Sequence, residues 1–328
     1  LRQFGQTVIE LLGAKKIHSA WSVPGGVRSP LSEEGRQWIV DRLPEAKETV
    51  YLALNLFKNM LDHFQTEVAE FGKFPSLFMG LVGKNNEWEH YGGSLRFTDS
   101  EGNIVADNLS EDNYADFIGE SVEKWSYLKF PYYKPLGYPD GIYRVGTLAR
   151  LNVCHHIGTP EADQELEEYR QRAGGVATSS FFYHYARLVE ILACLEAIEL
   201  LMDDPDILSK NCRARAEINC TEAVGVSEAP RGTLFHHYKV DQNGLIEKVN
   251  LIIATGNNNL AMNKTVAQIA KYYIRNHDVQ EGFLNRVEAG IRCYDPCLSC
   301  STHAAGQMPL MIDLVNAQGE LIKSIRRD

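Results

Sequence analysis

Two long stretches set the terms of the fold. From Pro44 to Phe71, the run PEAKETVYLALNLFKNMLDHFQTEVAEF puts Val50, Leu54, Phe57, Met60, Leu61 and Phe64 on one helical face. Pro44 suits a first helical turn, so the spacing predicts a helix that starts there. From Ser179, SSFFYHYARLVEILACLEAIELLMDD predicts a second long helix beginning at a serine cap. Helices of this length must bury their apolar faces against other elements. Shorter helices are predicted for LRQFGQTVIELLG, with Phe4, Val8, Leu11 and Leu12 apolar and a stop at Gly13, and for NNLAMNKTVAQIAKYYIRN and EGFLNRVEAGIRCYD. Hairpins are predicted for SLRFTDSEGNIVADN, for LFHHYKVDQNGLIEKVNLIIAT turning at Asn243-Gly244, and for MIDLV with ELIKSI around Asn316 to Gly319. The aromatic stretch KFPYYKPLGYPDGIYRVG reads as irregular chain on the surface. With no internal repeat or low-complexity linker, the pattern describes one α+β, helix-rich unit with inserted hairpins.

Charge and cysteine content narrow the function classes. The formal charge is 33 − 43 = −10, and no Lys/Arg run is long enough to follow a phosphate backbone, which speaks against a nucleic-acid partner. The most apolar segment, Leu188 to Met202, is interrupted by Glu190, Glu196 and Glu199 and is short for a membrane span, so it reads as a core helix. Seven cysteines, an odd number in a chain of 328 residues without a secretory signal, point to a reducing cytoplasm. There is no G-x-G-x-x-G loop, so a nicotinamide would have to bind elsewhere. The chain opens on Leu1 and enters helical periodicity at once, as a piece of a longer natural protein would.

Near the end stands DPCLSCSTH, Asp295 to His303. Asp295 followed by Pro296 looks like a helix cap and a first-turn proline, which would place Cys297 and Cys300 on one side of a first turn. Backbone N–H groups there favour thiolates, and thiolates select soft or borderline metals such as zinc, nickel or copper(I), or iron-sulfur clusters. A structural zinc site would need a second ligand pair, but Cys212 and Cys220 are eight apart and Cys293 and Cys297 four apart. By spacing alone, a metal site, a redox pair and coincidence all remain open.

The motif D-P-C-x-x-C-x-x-H close to a C-terminus resembles the last signature of nickel-iron hydrogenase large subunits. The stretches EAPRG (Glu228 to Gly232), IIATGNNN (Ile252 to Asn259) and KKIHSAWSVPGG (Lys15 to Gly26) carry the same resemblance, which runs over nearly the whole chain. The wording is most similar to the cytoplasmic bidirectional NAD-coupled subgroup. The resemblance implies a large-subunit-like fold with long packed helices, and a nickel-iron centre whose iron carries cyanide and carbon monoxide. It implies Cys297 as a terminal nickel ligand, Cys300 as a bridge to iron, and His303 with the carbonyl of Leu251 on a magnesium ion. Asp295 and Arg231 would stand just outside the metals, Thr255 would donate to a cyanide, and a thiolate or Arg231 would accept a proton. Partners implied are a small subunit with iron-sulfur clusters, NAD diaphorase subunits, nickel-insertion proteins and a maturation endopeptidase. That endopeptidase would cut after His303, dividing the chain into a catalytic part, 1–303, and a removable extension, 304–328. One departure stands out: the family's R-x-C-G-x-C motif, source of the other two nickel sulfurs, is absent from the sequence, so this chain alone offers two of four.

Other functions compete. A relative that keeps the fold as a scaffold without metal, like the quinone-site subunit of NADH:quinone oxidoreductase, would not need Cys297, Cys300 and His303. A thiolate zinc protein would need further ligands. His18 is as well explained by a satisfied core position as by a place near the metal, and the pairs His155-His156 and His236-His237 are left aside because strand neighbours point to opposite faces. Cys154, Cys194, Cys212, Cys220 and Cys293 read as small apolar core residues. The sharpest structural expectation is that Arg231, Thr255, Cys297 and Cys300, distant in sequence, converge on one buried pocket.

Overall fold

The computed structural model describes residues 1–126, 128–215, 220–273, 281–297, 300 and 310–327. Helix α1 (Arg2–Gly13) is as the periodicity predicts and stops at a left-handed Ala14. The strands β1 (Ser22–Val23) and β2 (Gly26–Val27) form a tight hairpin ahead of α2 (Glu33–His63). Here the sequence reading is corrected, because α2 begins at Glu33 and contains Pro44 within it. The side chain of Ser32 accepts from the Gly35 N–H at 3.0 Å, and Glu33 and Glu34 sit in the first turn, where the helix dipole favours them. Ile39 and Leu43 extend the buried face of Val50, Leu54 and Leu61, and that burial outweighs the one backbone bond Pro44 cannot donate. Phe64, expected on the same face, is exposed where the helix gives way to α3 (Gln65–Glu70).

Strand β3 (Leu77–Val82) is followed by the expected hairpin of β4 (Ser94–Thr98) and β5 (Ile104–Leu109), whose turn is held by the Asp99 carboxylate accepting from Glu101 and Asn103 N–H groups. After α4 (Tyr114–Phe117), β6 (Ile118–Val122) pairs with β7 (Lys129–Tyr133), and β8 (Tyr143–Arg144) joins β3 in parallel to give the sheet order β5-β4-β3-β8. The stretch expected to be irregular surface chain therefore contains β7 and β8, and Tyr143 and Arg144 are fully buried. Arg144 can be buried because its guanidinium donates to the carbonyls of Thr178 at 2.7 Å and Phe74 at 3.1 Å.

Helices α5 (Thr147–Val153), α6 (Pro160–Ala173) and α7 (Phe182–Asp203) come next. The long helix α7 is present, but its expected serine cap is not: Ser179 donates to the carbonyl of Phe71 and Ser180 to that of Gly72, tying the entry to the loop after α3. Strands β9 (Glu222–Ala229), β10 (Gly232–Val240) and β11 (Ile246–Ile252) form an antiparallel sheet in the order β11-β10-β9, with the Asn243-Gly244 turn where expected. The chain continues through α8 (Ala254–Asn257), α9 (Asn259–Tyr273) and α10 (Glu281–Cys293) to the tail hairpin β12 (Leu310–Val315) and β13 (Leu321–Arg327), closed by Asn316 accepting from the Gln318 and Glu320 N–H groups.

Every residue of β3 is buried, which a strand achieves only when both its faces are covered. Phe78 and Val82 look into a core built by α2, α5, α6, α7, α9 and α10, whereas Leu77, Met79 and Leu81 look into a second core with Phe97, Tyr143, Val145, Phe235 and Ile252. The molecule is thus α+β and helix-rich, with β3 as the seam between a helical layer and the sheets. No helix among the described residues is long and apolar enough to cross a membrane. Cys154 and Cys293 are buried, but Cys194 and Cys220 are exposed and Cys212 is partly so, which corrects the reading of all five as core residues. His18 is exposed, not a core histidine.

One consequence of the helical layer can be measured. His184 on α7 lies among the rings of Phe57 and Phe181, and burial, helped by the nearby Arg187 charge against an opposing contribution from Asp295, pushes it down to about 4. Its unfolded form protonates near 6.5 while the folded form stays neutral, so stability present above pH 6.5 is lost as pH falls toward 4. At pH 5 the loss is on the order of 2 kcal/mol. Denaturant melts of the protein and of His184→Gln are expected to differ in slope between pH 7 and 5, with the variant flatter. Parallel curves would remove His184 as the cause.

Candidate metal centre

Three separated segments meet at the end of the β9-β10 hairpin. Ala229 pairs with Gly232, so Pro230 and Arg231 form a two-residue turn with Arg231 at its tip. The turn sits hard against the entry to α5. A Cβ on Gly232, at φ +135°, would come within 2.2 Å of the Val145 side chain, and one on Gly146, at φ +97°, within 2.9 Å of the Arg231 carbonyl oxygen. Only glycines allow both the conformation and the approach.

The second segment is IIATGNNN. Ile253 caps α8, and Thr255 inside it is only 3% exposed. The three asparagines after it are buried and satisfied. Asn257 donates to the Thr233 carbonyl at 2.8 Å and accepts from the Tyr143 hydroxyl, Asn258 accepts from Val145 N–H at 2.9 Å, and Asn259 donates to the Lys129 carbonyl at 2.9 Å. They stitch the loop to β10, β7 and the chain after β8, and so fix Thr255.

The third segment leaves α10. Cys293 and Tyr294 are buried, the Tyr294 hydroxyl bonding Thr265 at 2.8 Å and its ring packing on Tyr183, while Arg187 donates to the Cys293 carbonyl at 3.1 Å. Asp295 then takes a left-handed conformation, φ +48°, with its N–H donating to the Arg292 carbonyl. This corrects the expected helix cap, because a capping residue sits in the extended region; Asp295 instead ends α10 and turns the chain toward Arg231. The carbonyl oxygen of Asp295 accepts from Arg231 Nε, and its carboxylate lies 3.4 Å from Arg231 Nη2. Cys297 N–H donates to Thr255 Oγ1 at 3.1 Å, and Cys300 N–H closes a turn onto the Cys297 carbonyl at 3.1 Å. Cys297 and Cys300 face each other as a disulfide, Cα atoms 5.4 Å apart.

Arg231, Thr255, Asp295, Cys297 and Cys300 therefore stand together. The expected burial does not hold among the described residues: Thr255 is buried, but the Arg231 side chain is 37% exposed, Asp295 49%, and Cys300 is exposed. Leu251 lies on β11 opposite His236 with its side chain exposed, four residues before Thr255. His303 lies outside the described residues. Among the described residues no three His, Cys, Asp or Glu side chains gather as a metal site. Reduced to thiolates, the two sulfurs would be soft donors that fit as part of the ligand set of a soft or borderline metal whose remaining donors come from elsewhere.

Sequence reading missed what lies beneath the hairpin. Arg150 on α5, with a side chain 2% exposed, pairs with Glu190 on α7 at 2.6 Å and Glu228 on β9 at 2.9 Å. The one available signal was the set of glutamates inside the apolar α7; Glu190 and Glu196 are both buried, Glu196 accepting from Thr159 at 2.7 Å.

A family model described as nickel-dependent hydrogenase matches residues 84–303. The chain is 41% identical over 337 residues to the NAD-reducing hydrogenase HoxS subunit beta of Cupriavidus necator, covering 98% of this chain and 68% of that protein. It is 39% identical to a chain of the F420-non-reducing hydrogenase vhc of Methanococcus voltae, covering 99% and 69%. In three dimensions it superposes on an NAD+-reducing [NiFe]-hydrogenase in the H2-reduced state with a TM-score of 0.88 at 39% identity, covering 92% of this chain and 67% of that one. The Ni-Fe-Se hydrogenase of D. vulgaris Hildenborough superposes with a TM-score of 0.69 over 92% and 68%, a likeness in fold at 19% identity.

Proposed function

Because the chain belongs to the nickel-dependent hydrogenase family, we propose that it is the catalytic large subunit of an enzyme that interconverts H2 with two protons and two electrons. Its electrons pass to an iron-sulfur small subunit, then to NAD diaphorase subunits. The observation that carries this reading is the meeting of Arg231, Thr255, Asp295, Cys297 and Cys300 from three distant segments, with two cysteine sulfurs side by side. Cys297 and Cys300 would hold the nickel-iron centre as thiolates, and cyanide and carbon monoxide would be further ligands of its iron. When bound, the centre polarises H2 and takes up its electrons.

The residues present do the rest. A guanidinium stays protonated, so Arg231 would keep a fixed positive charge at the mouth of the site and donate to anionic cyanide, and a cysteine thiolate would be the group to take the proton from H2. Asp295 orients Arg231 through its carbonyl and carboxylate. Thr255, by accepting from Cys297 N–H, fixes where that sulfur points and leaves its hydroxyl proton for a cyanide. His303 and the Leu251 carbonyl would hold magnesium. The five unpaired cysteines suit a reducing cytoplasm, where Cys297 and Cys300 would be held as thiols.

The extension 304–328 would be removed by an endopeptidase after nickel-insertion proteins have loaded the site. In support, β12 and β13 pair with each other and lean on the body through Leu314 and Ile325, leaving Val315, Leu321 and Ile322 exposed, as a separable appendage would. One experiment tests function and processing together: metal analysis and intact mass of the purified active enzyme. Nickel with iron, and a polypeptide ending at His303, are expected. Zinc or no metal would overturn the hydrogenase reading, and a nickel-loaded active enzyme that retains Ala304 to Asp328 would overturn the processing.

A further inference from the structure

A two-residue turn does not by itself aim a long side chain, so something must fix the height and direction of Arg231. On one side the turn rests on Val145 and Gly146. On the other it rests on Arg150, whose Nη1 donates to the Ala229 carbonyl at 2.9 Å and whose Nη2 donates to the Pro230 carbonyl at 3.4 Å. Arg150 is itself held on its other edges. Nε and Nη2 grip both oxygens of Glu190 at 2.7 and 2.6 Å, and Nη1 meets Glu228 Oε2 at 2.9 Å. Glu190 also accepts from Trp88 Nε1 at 3.0 Å, and Glu228 Oε1 accepts from Thr233 at 2.7 Å and Leu81 N–H at 3.1 Å. Each carboxylate is therefore anchored to a different rigid element, β3 included.

We propose that Arg150 is the positioning residue for Arg231, setting the guanidinium against the cysteine loop through the carbonyls of Ala229 and Pro230. A buried arginine between two carboxylates is an expensive way to fill a core, since the charges must be taken out of water, and apolar residues of the same volume commonly serve stability as well. Burial pushes Glu228 upward, against the opposing pull of Arg150 and its hydrogen-bond donors. An apolar replacement cannot hold two successive carbonyls of the turn while bracing against β3 and α7. A lysine could reach one carbonyl but lacks the planar fork that reaches all partners at once. The arrangement makes sense as a device for placing the tip, and this inference rests on the proposed function, in which Arg231 faces the metal centre.

The test uses the assembled enzyme with Arg150→Lys, Arg231→Lys and the double variant, measuring kcat and KM for H2, nickel content, the infrared bands of the diatomic ligands, and amide hydrogen exchange across 229–233. Arg150→Lys is expected to lower kcat about tenfold, short of the roughly hundredfold that a 1 Å misplacement can cost, with KM and nickel content unchanged. Exchange should quicken at 229–233, and the infrared bands should shift in the same direction as in Arg231→Lys. The double variant should be no slower than Arg231→Lys alone. Effects that multiply in the double, or unchanged exchange at 229–233, would overturn the positioning role while leaving Arg231 in place. If Arg231→Lys alone changes nothing, the reading of Arg231 falls and this inference with it. Should Arg150→Lys fail to fold, Glu190→Gln keeps the shape, loosens the grip on Arg150, and is expected to produce a smaller effect of the same kind.

Discussion

Replacing Cys300 by serine in the assembled enzyme is expected to bring hydrogen uptake down to background and to strip the protein of nickel. Serine differs from cysteine by one atom, but its hydroxyl is a hard donor that stays protonated at neutral pH, whereas a thiolate is soft and available. In the proposed centre Cys300 would bridge two metals, and such a donor suffers most from that change. The substitution should do little else. Cys300 is exposed, and the turn it closes uses its backbone N–H on the Cys297 carbonyl, which serine retains. With the cysteines reduced and no metal bound, stability is therefore expected to move by less than about 0.5 kcal/mol, as surface substitutions usually do. Cys220→Ser, at another exposed cysteine on the strand side of the molecule, should keep both nickel and turnover. A Cys300→Ser enzyme that holds nickel and turns over at the normal rate would remove this sulfur from the centre.

The parts of this site that can be read from the sequence are those whose chemistry is local. Cys297 and Cys300 announce themselves by spacing, and the EAPRG and IIATGNNN stretches by wording. Their meeting follows from the fold, and the bonds from Arg231 to Asp295 and from Cys297 to Thr255 bring them together over separations of 64 and 42 residues. What is not legible depends on distant partners. Arg150, within TLARLNV, looks like any helix-surface arginine, and its carboxylates lie 40 and 78 residues away. In the sequence the glutamates of α7 speak only against a membrane span, although a buried charge always implies a partner.

The same reason explains where the fold departs from expectation. A local rule puts Pro44 at a first turn, but Ile39 and Leu43 bury ahead of it and carry the helix through. The serines before α7 have the composition of a cap, yet Ser179 and Ser180 bond the loop after α3 instead. Asp295 and Pro296 look like a helix start, but the left-handed turn at Asp295 is set by its bonds to Arg292 and Arg231. In each case a tertiary contact overrides a local preference, worth about 1 kcal/mol for a cap and about 3 kcal/mol for a proline inside a helix.

Arg231→Lys is expected to lower turnover about a hundredfold, the cost usually seen when one pre-positioned donor is lost from a charge-stabilising site. Lysine is also cationic at neutral pH, so the substitution leaves the charge in place and removes the fork. The fork has two tasks here. Nε and Nη2 are engaged by the carbonyl and carboxylate of Asp295, and the remaining donors would face the anionic ligands of the proposed metal centre. An ammonium on a flexible stem cannot hold the Asp295 loop and face the centre together. Because the side chain is 37% exposed, its ion pair with Asp295 contributes little to stability, and melting should be nearly unchanged. Nickel content should be unchanged as well, since Arg231 is not a ligand. Arg231→Gln, which removes charge and fork together, should be slower than Arg231→Lys, so kcat should fall in the order arginine, lysine, glutamine. Equal rates for lysine and glutamine would mean that the charge is irrelevant and only the planar donor geometry counts. A lysine variant at full rate would take Arg231 out of the reaction and leave the β9-β10 turn as a structural feature of the fold.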